Sequence, residues 1–328
     1  MGTLEDPSLS LQELDPAPDE ALLSALEDGL YAPQTQTQTP GVQSNGKSTG
    51  ARLGLSGHSC DYWLSRIQRY STYPPSIFFG LHLLNTSLIP LATQSVAASE
   101  TYLLLTRPIY QAPALEPLLL TIPIAAHVVS SISLRFLRNS RRARLYGAET
   151  RQQRKALKAA NRISRQAILG YLLLPFLGVH VLINRIGPWY VDGGSSSVGL
   201  GYVSHGFAKS PWTIGAWYIA FVGIGVWHFV SGWAWWTGWR ETPGLTREAE
   251  KRLGATAGCL GNPSEVQALR KRKWRRRIIT GAACFGTALW LAGGLGVVGN
   301  GGVGVGWEAK TWDQIYSQIP ILGPYLGG

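Results

Sequence analysis

Long apolar stretches recur along the chain near residues 76–94, 115–137, 167–187, 211–236 and 278–298, with polar or charged segments between them. Each is long enough to cross a bilayer, which takes about 20 residues of helix. Inside hydrocarbon only helices and closed barrels satisfy the backbone, and these stretches lack the alternation of barrel strands. The pattern predicts an all-α membrane protein with five transmembrane helices. The first stretch is the weakest, because Asn85, Thr86, Ser87 and Pro90 dilute it.

Two of the stretches carry one sequence written twice. Gly80, His82, Leu84 and Pro90 fall at the offsets of Gly178, His180, Leu182 and Pro188. Each copy is followed by a further apolar stretch with its own histidine, His127 and then His228. A titratable ring in a membrane segment is costly and faces inward toward a partner. The repeat therefore predicts two related helical hairpins forming a four-helix bundle, with a fifth helix beside them.

Charge is distributed unevenly. The connections Arg135–Arg165 and Arg240–Arg277 are rich in Arg and Lys, and the second ends in Arg270-Lys-Arg-Lys-Trp-Arg-Arg-Arg277. Residues 95–114 and 189–210 hold almost no charge. With five crossings, both basic connections and the N-terminus share one face, which the positive-inside rule assigns to the cytosol. Basic runs that abut helix ends serve topology and contact anionic membrane lipid, so nucleic acid is not expected as a partner. Trp212 and Trp217 at one end of the fourth stretch, and Trp233, Trp235, Trp236 and Trp239 at the other, mark the two interfaces.

Four segments follow from this reading. Residues 1–55 form an acidic, disordered cytosolic tail, with eight acids and no Lys or Arg through residue 46. Residues 56–74 form an interfacial amphipathic segment, in which Tyr62, Trp63, Ile67 and Tyr70 are set against Arg66 and Arg69. The transmembrane domain occupies 75–298, and a Gly-rich tail occupies 299–328. The loop at 189–210 is expected to be a surface connection. The N-terminus has the charge of neither a transit nor a signal peptide.

Several apparent motifs carry no chemistry. Gly41 to Ser48 satisfies the phosphate-loop pattern by letter, but no strand feeds it. The overlapping Gly294–Gly304 pattern mimics a dinucleotide fingerprint while trailing off a membrane helix. Cys60, Cys259 and Cys284 are widely scattered and indicate neither a disulfide framework nor a zinc site. Acids are nearly absent from the apolar stretches, so paired-carboxylate and Ser-His-Asp chemistry lack their acid there, and a non-enzymatic protein is expected. One tail motif is better placed. Leu11 and Leu14 stand three apart, followed by Pro16 and Pro18, and such spacing favours an extended backbone that docks into a groove at low entropic cost. An ordinary proline-containing tail has the same composition.

Tyr73-Pro-Pro-Ser76, the Gly80-x-His82-x-x-Asn85-Thr-Ser87-x-x-Pro90 stretch, the second Gly-x-His hairpin and the fifth helix resemble the fungal Mcp-type mitochondrial outer-membrane adaptors. The resemblance covers about residues 60–298. It implies a multi-pass protein of the mitochondrial outer membrane with a cytosolic N-terminus. It also implies recruitment of a chorein-type, bridge-like lipid-transfer protein to membrane contact sites, supporting mitochondrial lipid homeostasis. Leu11, Leu14, Pro16 and Pro18 fit the family's Pro-x-Pro docking motif position by position.

The bundle further resembles the succinate dehydrogenase cytochrome b anchor, a fold that holds haem b between helices through histidines. His82, His127, His180 and His228 are thus candidate haem ligands, with His82/His228 as the first choice of pair and His127/His180 as the second. Neutral histidines bonded across packed helices account for the same pattern. Asn85, Thr86 and Ser87 are the single hint of a bundle that itself accepts or scrambles lipid. They equally suit contacts between helices.

Overall fold

The computed structural model describes residues 60–145, 150–153, 163–239, 263–319 and 323. The described residues are helical, with no strand among them. Five stretches are long and apolar enough to span a membrane: Cys60–Thr93, Pro117–Ser140, Arg165–Asp192, Pro211–Trp236 and Arg270–Val298. These are the five expected from the apolar pattern. The first begins well ahead of residue 76, with helix α1 (Cys60–Tyr70) preceding α2 (Tyr73–Leu83).

Along the chain follow α3 (Ile89–Thr93), α4 (Val96–Gln111), α5 (Ile122–Leu145), α6 (Arg165–Val181), α7 (Gly187–Asp192), α8 (Leu200–Lys209), α9 (Pro211–Trp236), α10 (Pro263–Gly293) and α11 (Gly306–Gln318). Among the described residues, four π-helical turns interrupt them, at Leu84–Leu88, Pro117–Thr121, Leu182–Ile186 and Gly294–Val298. The first three share a cause. Each is followed, two residues on, by a proline: Pro90, Pro123 and Pro188. A proline ring clashes with the carbonyl four residues earlier, here that of Thr86, Leu119 or Asn184. Widening the turn by one residue carries that carbonyl aside and keeps the helix continuous. Because the proline recurs at one offset in the repeat, the same turn recurs two residues after His82 and after His180.

The chain divides into two units, residues 1–72 with 123–150, and residues 73–122 with 151–328. In the first, Asp61 is buried and faces Arg138 at 3.5 Å. Arg66 lies over the Tyr62 ring at 4.6 Å and donates to the Tyr70 hydroxyl.

In the second unit, α9 packs against both α6 and α10. Phe79 stacks on Phe229 at 4.1 Å and meets Trp290 edge-on at 4.8 Å. The polar trio of the first span makes contacts between helices. Asn85 donates to Thr106 at 2.9 Å, Ser87 donates to the Leu289 carbonyl at 2.7 Å, and Trp290 donates to Thr86 at 3.0 Å. Gly293 lets α10 come this close, since a β-carbon there would overlap the Ser87 backbone. Trp233 stacks on Tyr73 at 5.7 Å and donates to Ser76, while Arg275 lies over Trp239 at 6.0 Å.

The best-packed part of this unit is one that composition hides. Residues 189–210, expected to be a surface connection, contain α8, which buries Leu200, Tyr202, Ser204, His205, Gly206 and Phe207. Within the expected Gly-rich tail, α11 buries Trp312, Ile315 and Tyr316 against α8. Tyr202 and Tyr316 stack at 4.5 Å, nearly parallel, and the Tyr316 hydroxyl donates to the Tyr202 carbonyl. Burial raises the pKa of both phenols, so each remains a neutral donor.

Candidate functional site

The intramembrane histidines are the candidate site within the described residues. Leu11, Leu14, Pro16 and Pro18 lie outside those residues.

His127 stands on α5, in the first unit. Its Nδ1 lies 3.0 Å from the Gln68 carbonyl, and the Gln68 amide donates to Ser131 at 2.8 Å. His228 stands on α9, in the second unit. The Gln166 amide donates to the His228 carbonyl at 2.9 Å and lies 3.3 Å from its Nδ1, while Ser231 donates to the Gln166 carbonyl oxygen. Gly170 leaves room for this imidazole, because a β-carbon there would approach it to 3.0 Å. Gln68 precedes His82 by 14 residues, and Gln166 precedes His180 by the same 14. Glutamine, histidine and serine thus recur as a bonded set in each copy. The sequence reading found the histidines and missed the glutamines, whose signal was this shared offset.

His82 and His180 belong to the second unit and meet each other. Their ring centroids are 5.9 Å apart with planes at 74°. Phe78 stacks on His82 at 5.2 Å, and Trp290 stands 6.0 Å from it. Phe221 lies 5.1 Å from His180, with Trp217 and Tyr218 at 6.4 and 6.3 Å. Asn184 donates to the His180 carbonyl at 2.9 Å and lies 3.3 Å from its Nδ1.

The ring that His82 meets is that of His180, and within its own unit His127 is bonded to Gln68. The His82/His180 contact leaves no room for a haem between those two rings. A porphyrin needs an open slab between its two axial rings. Here the two imidazoles adjoin directly within a wall of aromatic side chains. The two best-formed cavities among the described residues, about 380 and 210 Å³, border Arg107 and Asn300 and touch neither histidine. Nor do three or more His, Cys, Asp or Glu gather as a metal site among those residues.

A second polar constellation joins the turn at 193–199 to its neighbours. Arg185 pairs with both oxygens of Glu116 and donates to Ser195, while Arg107 donates to the carbonyls of Ser195 and Ser196. Glu100 accepts the backbone N–H groups of Leu200 and Gly201 at 2.7 and 3.2 Å, closing the N-terminus of α8. On the far side of α8, the Gly304 N–H donates to His205 Nδ1 at 3.1 Å. That leaves the ring proton on Nε2, which donates to Asp313 at 2.9 Å. Lys209 lies 3.1 Å from the same carboxylate. Burial raises the Asp313 pKa, but the bonds from His205 and Lys209 outweigh it and the net shift is downward.

With this geometry in hand, comparison with known proteins is specific. Residues 175–303, which run from the second Gly-x-His stretch through α10 to the glycine-rich turn, match the family of the MDM10-complementing protein 1 transmembrane domain. That stretch is similar to an Mcp1-type transmembrane domain. The chain is also similar to the mitochondrial adapter protein MCP1 of Saccharomyces cerevisiae, 28% identical over 159 residues, covering 42% of this chain and 52% of the relative. The chain thus spans about half the length of that curated relative. The matched stretch takes in His180, His228, the 193–199 turn and all of α8. No solved structure matches the chain.

Proposed function

We propose that the protein is a non-enzymatic adaptor of the mitochondrial outer membrane, which recruits a chorein-type bridge-like lipid-transfer protein to a contact site. The observation that carries this reading is the similarity of residues 175–303 to the Mcp1-type transmembrane domain, together with likeness to a yeast protein named as a mitochondrial adapter. The helical bundle fixes the chain in the membrane. Leu11 and Leu14 fill pockets on the partner, and Pro16 and Pro18 hold the backbone extended between them. Charge supports the orientation: the basic runs at 135–165 and 240–277 fall on the face of the N-terminal tail when five spans are counted.

The test is the location of the tagged lipid-transfer protein in cells that overproduce this chain, wild type beside Pro16→Ala/Pro18→Ala. Partner that coats mitochondria only with the wild type supports the reading. Equal recruitment by both, or by neither, removes residues 11–18 as the dock.

A further inference from the structure

Helix α4 is built inside out for an aqueous setting. Six of its residues form one continuous arc of exposed side chains: Thr101, Tyr102, Leu104, Leu105, Pro108 and Ile109. Leu105 is 70% exposed and Ile109 53%. The opposite arc, turned toward the protein, carries the polar groups. Ser99 is fully buried and bonds to Thr93 at 2.7 Å, Thr106 accepts from Asn85, and Glu100 and Arg107 reach the residues around α8. A helix on the water-facing surface of a soluble protein arranges these two faces the other way round.

The course of α4 supplies a second, independent observation. Its residues pair in reverse order with those of the first span. Ser99 meets Thr93, Thr106 meets Asn85, and the Tyr110 ring lies 5.0 Å from that of Phe78. The helix therefore turns at Gln94, whose φ of 52° reverses the chain, and runs back along the span from residue 93 to the level of residue 78. Its 16 residues measure about 24 Å, too short for a full crossing. The first span beside it also exposes apolar side chains, Ile77 and Leu84 among them.

We infer that α4 is a membrane-embedded helix of partial depth, whose Tyr102–Leu105–Ile109 face lies against lipid acyl chains in the leaflet far from the 270–277 basic cluster. Acyl chains are the one occupant that suits both observations, since the exposed arc lacks charge and sits beside a segment that is itself in hydrocarbon. The inward polar arc is then shielded from lipid by the helix's own apolar side, as intramembrane polar groups require.

The experiment is a nitroxide depth measurement on the full chain in phosphatidylcholine/phosphatidylethanolamine liposomes. Cys60, Cys259 and Cys284 are replaced by Ser, and single labels are placed by Leu105→Cys and Ile109→Cys. Phe285→Cys, on the exposed face of the fifth span, is the lipid reference, and Gln314→Cys on α11 is the aqueous one. Labels at 105 and 109 are expected to collide with oxygen several-fold more readily than with a nickel chelate, as at 285. Nickel access equal to that at 314 overturns the inference. So does exclusion of both reagents, which would mean that a second copy covers the face.

Discussion

Gly293 of α10 rests directly on the backbone of Ser87, in the first π turn. Its α-hydrogen is all the gap admits. Substitution Gly293→Val is expected to destabilise the second unit by about 3 kcal/mol or more, because the obstacle is backbone and cannot rotate away. Gly281→Ala, on the same helix with open space around it, is expected to be neutral or to stabilise by up to about 1 kcal/mol. Thermal unfolding of the two purified variants in detergent separates these outcomes.

His180 sits among Phe221, Trp217 and Tyr218, so its chief contribution is volume. His180→Ala is expected to cost about 2–4 kcal/mol through the cavity it leaves, and His180→Phe less than about 1.5 kcal/mol. Purified protein is expected to show no Soret absorbance. A band present in the wild type and lost in His180→Phe would restore a haem pocket to consideration.

Gln166 bridges His228 and Ser231 with one amide. Gln166→Leu leaves those groups short of a bond inside the bundle, at an expected cost of about 1–3 kcal/mol. Gln68→Leu is expected to cost a similar amount through Ser131 and its own displaced carbonyl contact. Melting temperatures of the two single variants should fall together.

The Tyr316 hydroxyl bonds to the Tyr202 carbonyl in a fully buried setting. Tyr316→Phe is expected to cost about 1 kcal/mol, the net worth of one such bond. Tyr316→Ala is expected to cost about 3–5 kcal/mol through lost packing. Protease release of the segment after residue 305 reports both changes.

Asp313 ties α11 to α8, and its pKa lies lower in the folded protein than in the unfolded chain. Such a group stabilises the fold when ionised. Its contribution is therefore complete above the ordinary carboxylate range and is lost as pH falls through its lowered folded pKa. Cleavage after residue 305 should accelerate on acidification below about pH 4. Asp313→Asn should flatten that dependence while leaving cleavage faster at neutral pH.

The spans and the repeat were legible because hydrophobic run length and the Gly-x-His…Pro offset are local signals. Pro90 and Pro188 even foretell the widened turns, once the clash of a proline with an earlier carbonyl is considered. The packing of α8 and α11 was hidden by their glycine and serine content. Gly301 and Gly304 read as loop residues, whereas they pass against Ser204 and Trp312 in space too narrow for a side chain. Helix α4 escaped notice because Glu100 and Arg107 lower its mean hydropathy, and only the three-dimensional arrangement shows that both turn inward. The contact of His82 with His180 was not legible either, because position along a helix does not give the direction a ring faces.

His82 and His180 occupy the same place in the two copies, and they touch. The duplicated stretch thus meets itself at its own histidine, yet the surroundings of the two rings differ. His180 has Asn184 one turn on, where the first copy has Thr86. Trp290 of the fifth span stands beside His82, whereas Trp217 of α9 lies beside His180. A repeat that is even in sequence ends in a contact whose two halves are chemically unequal.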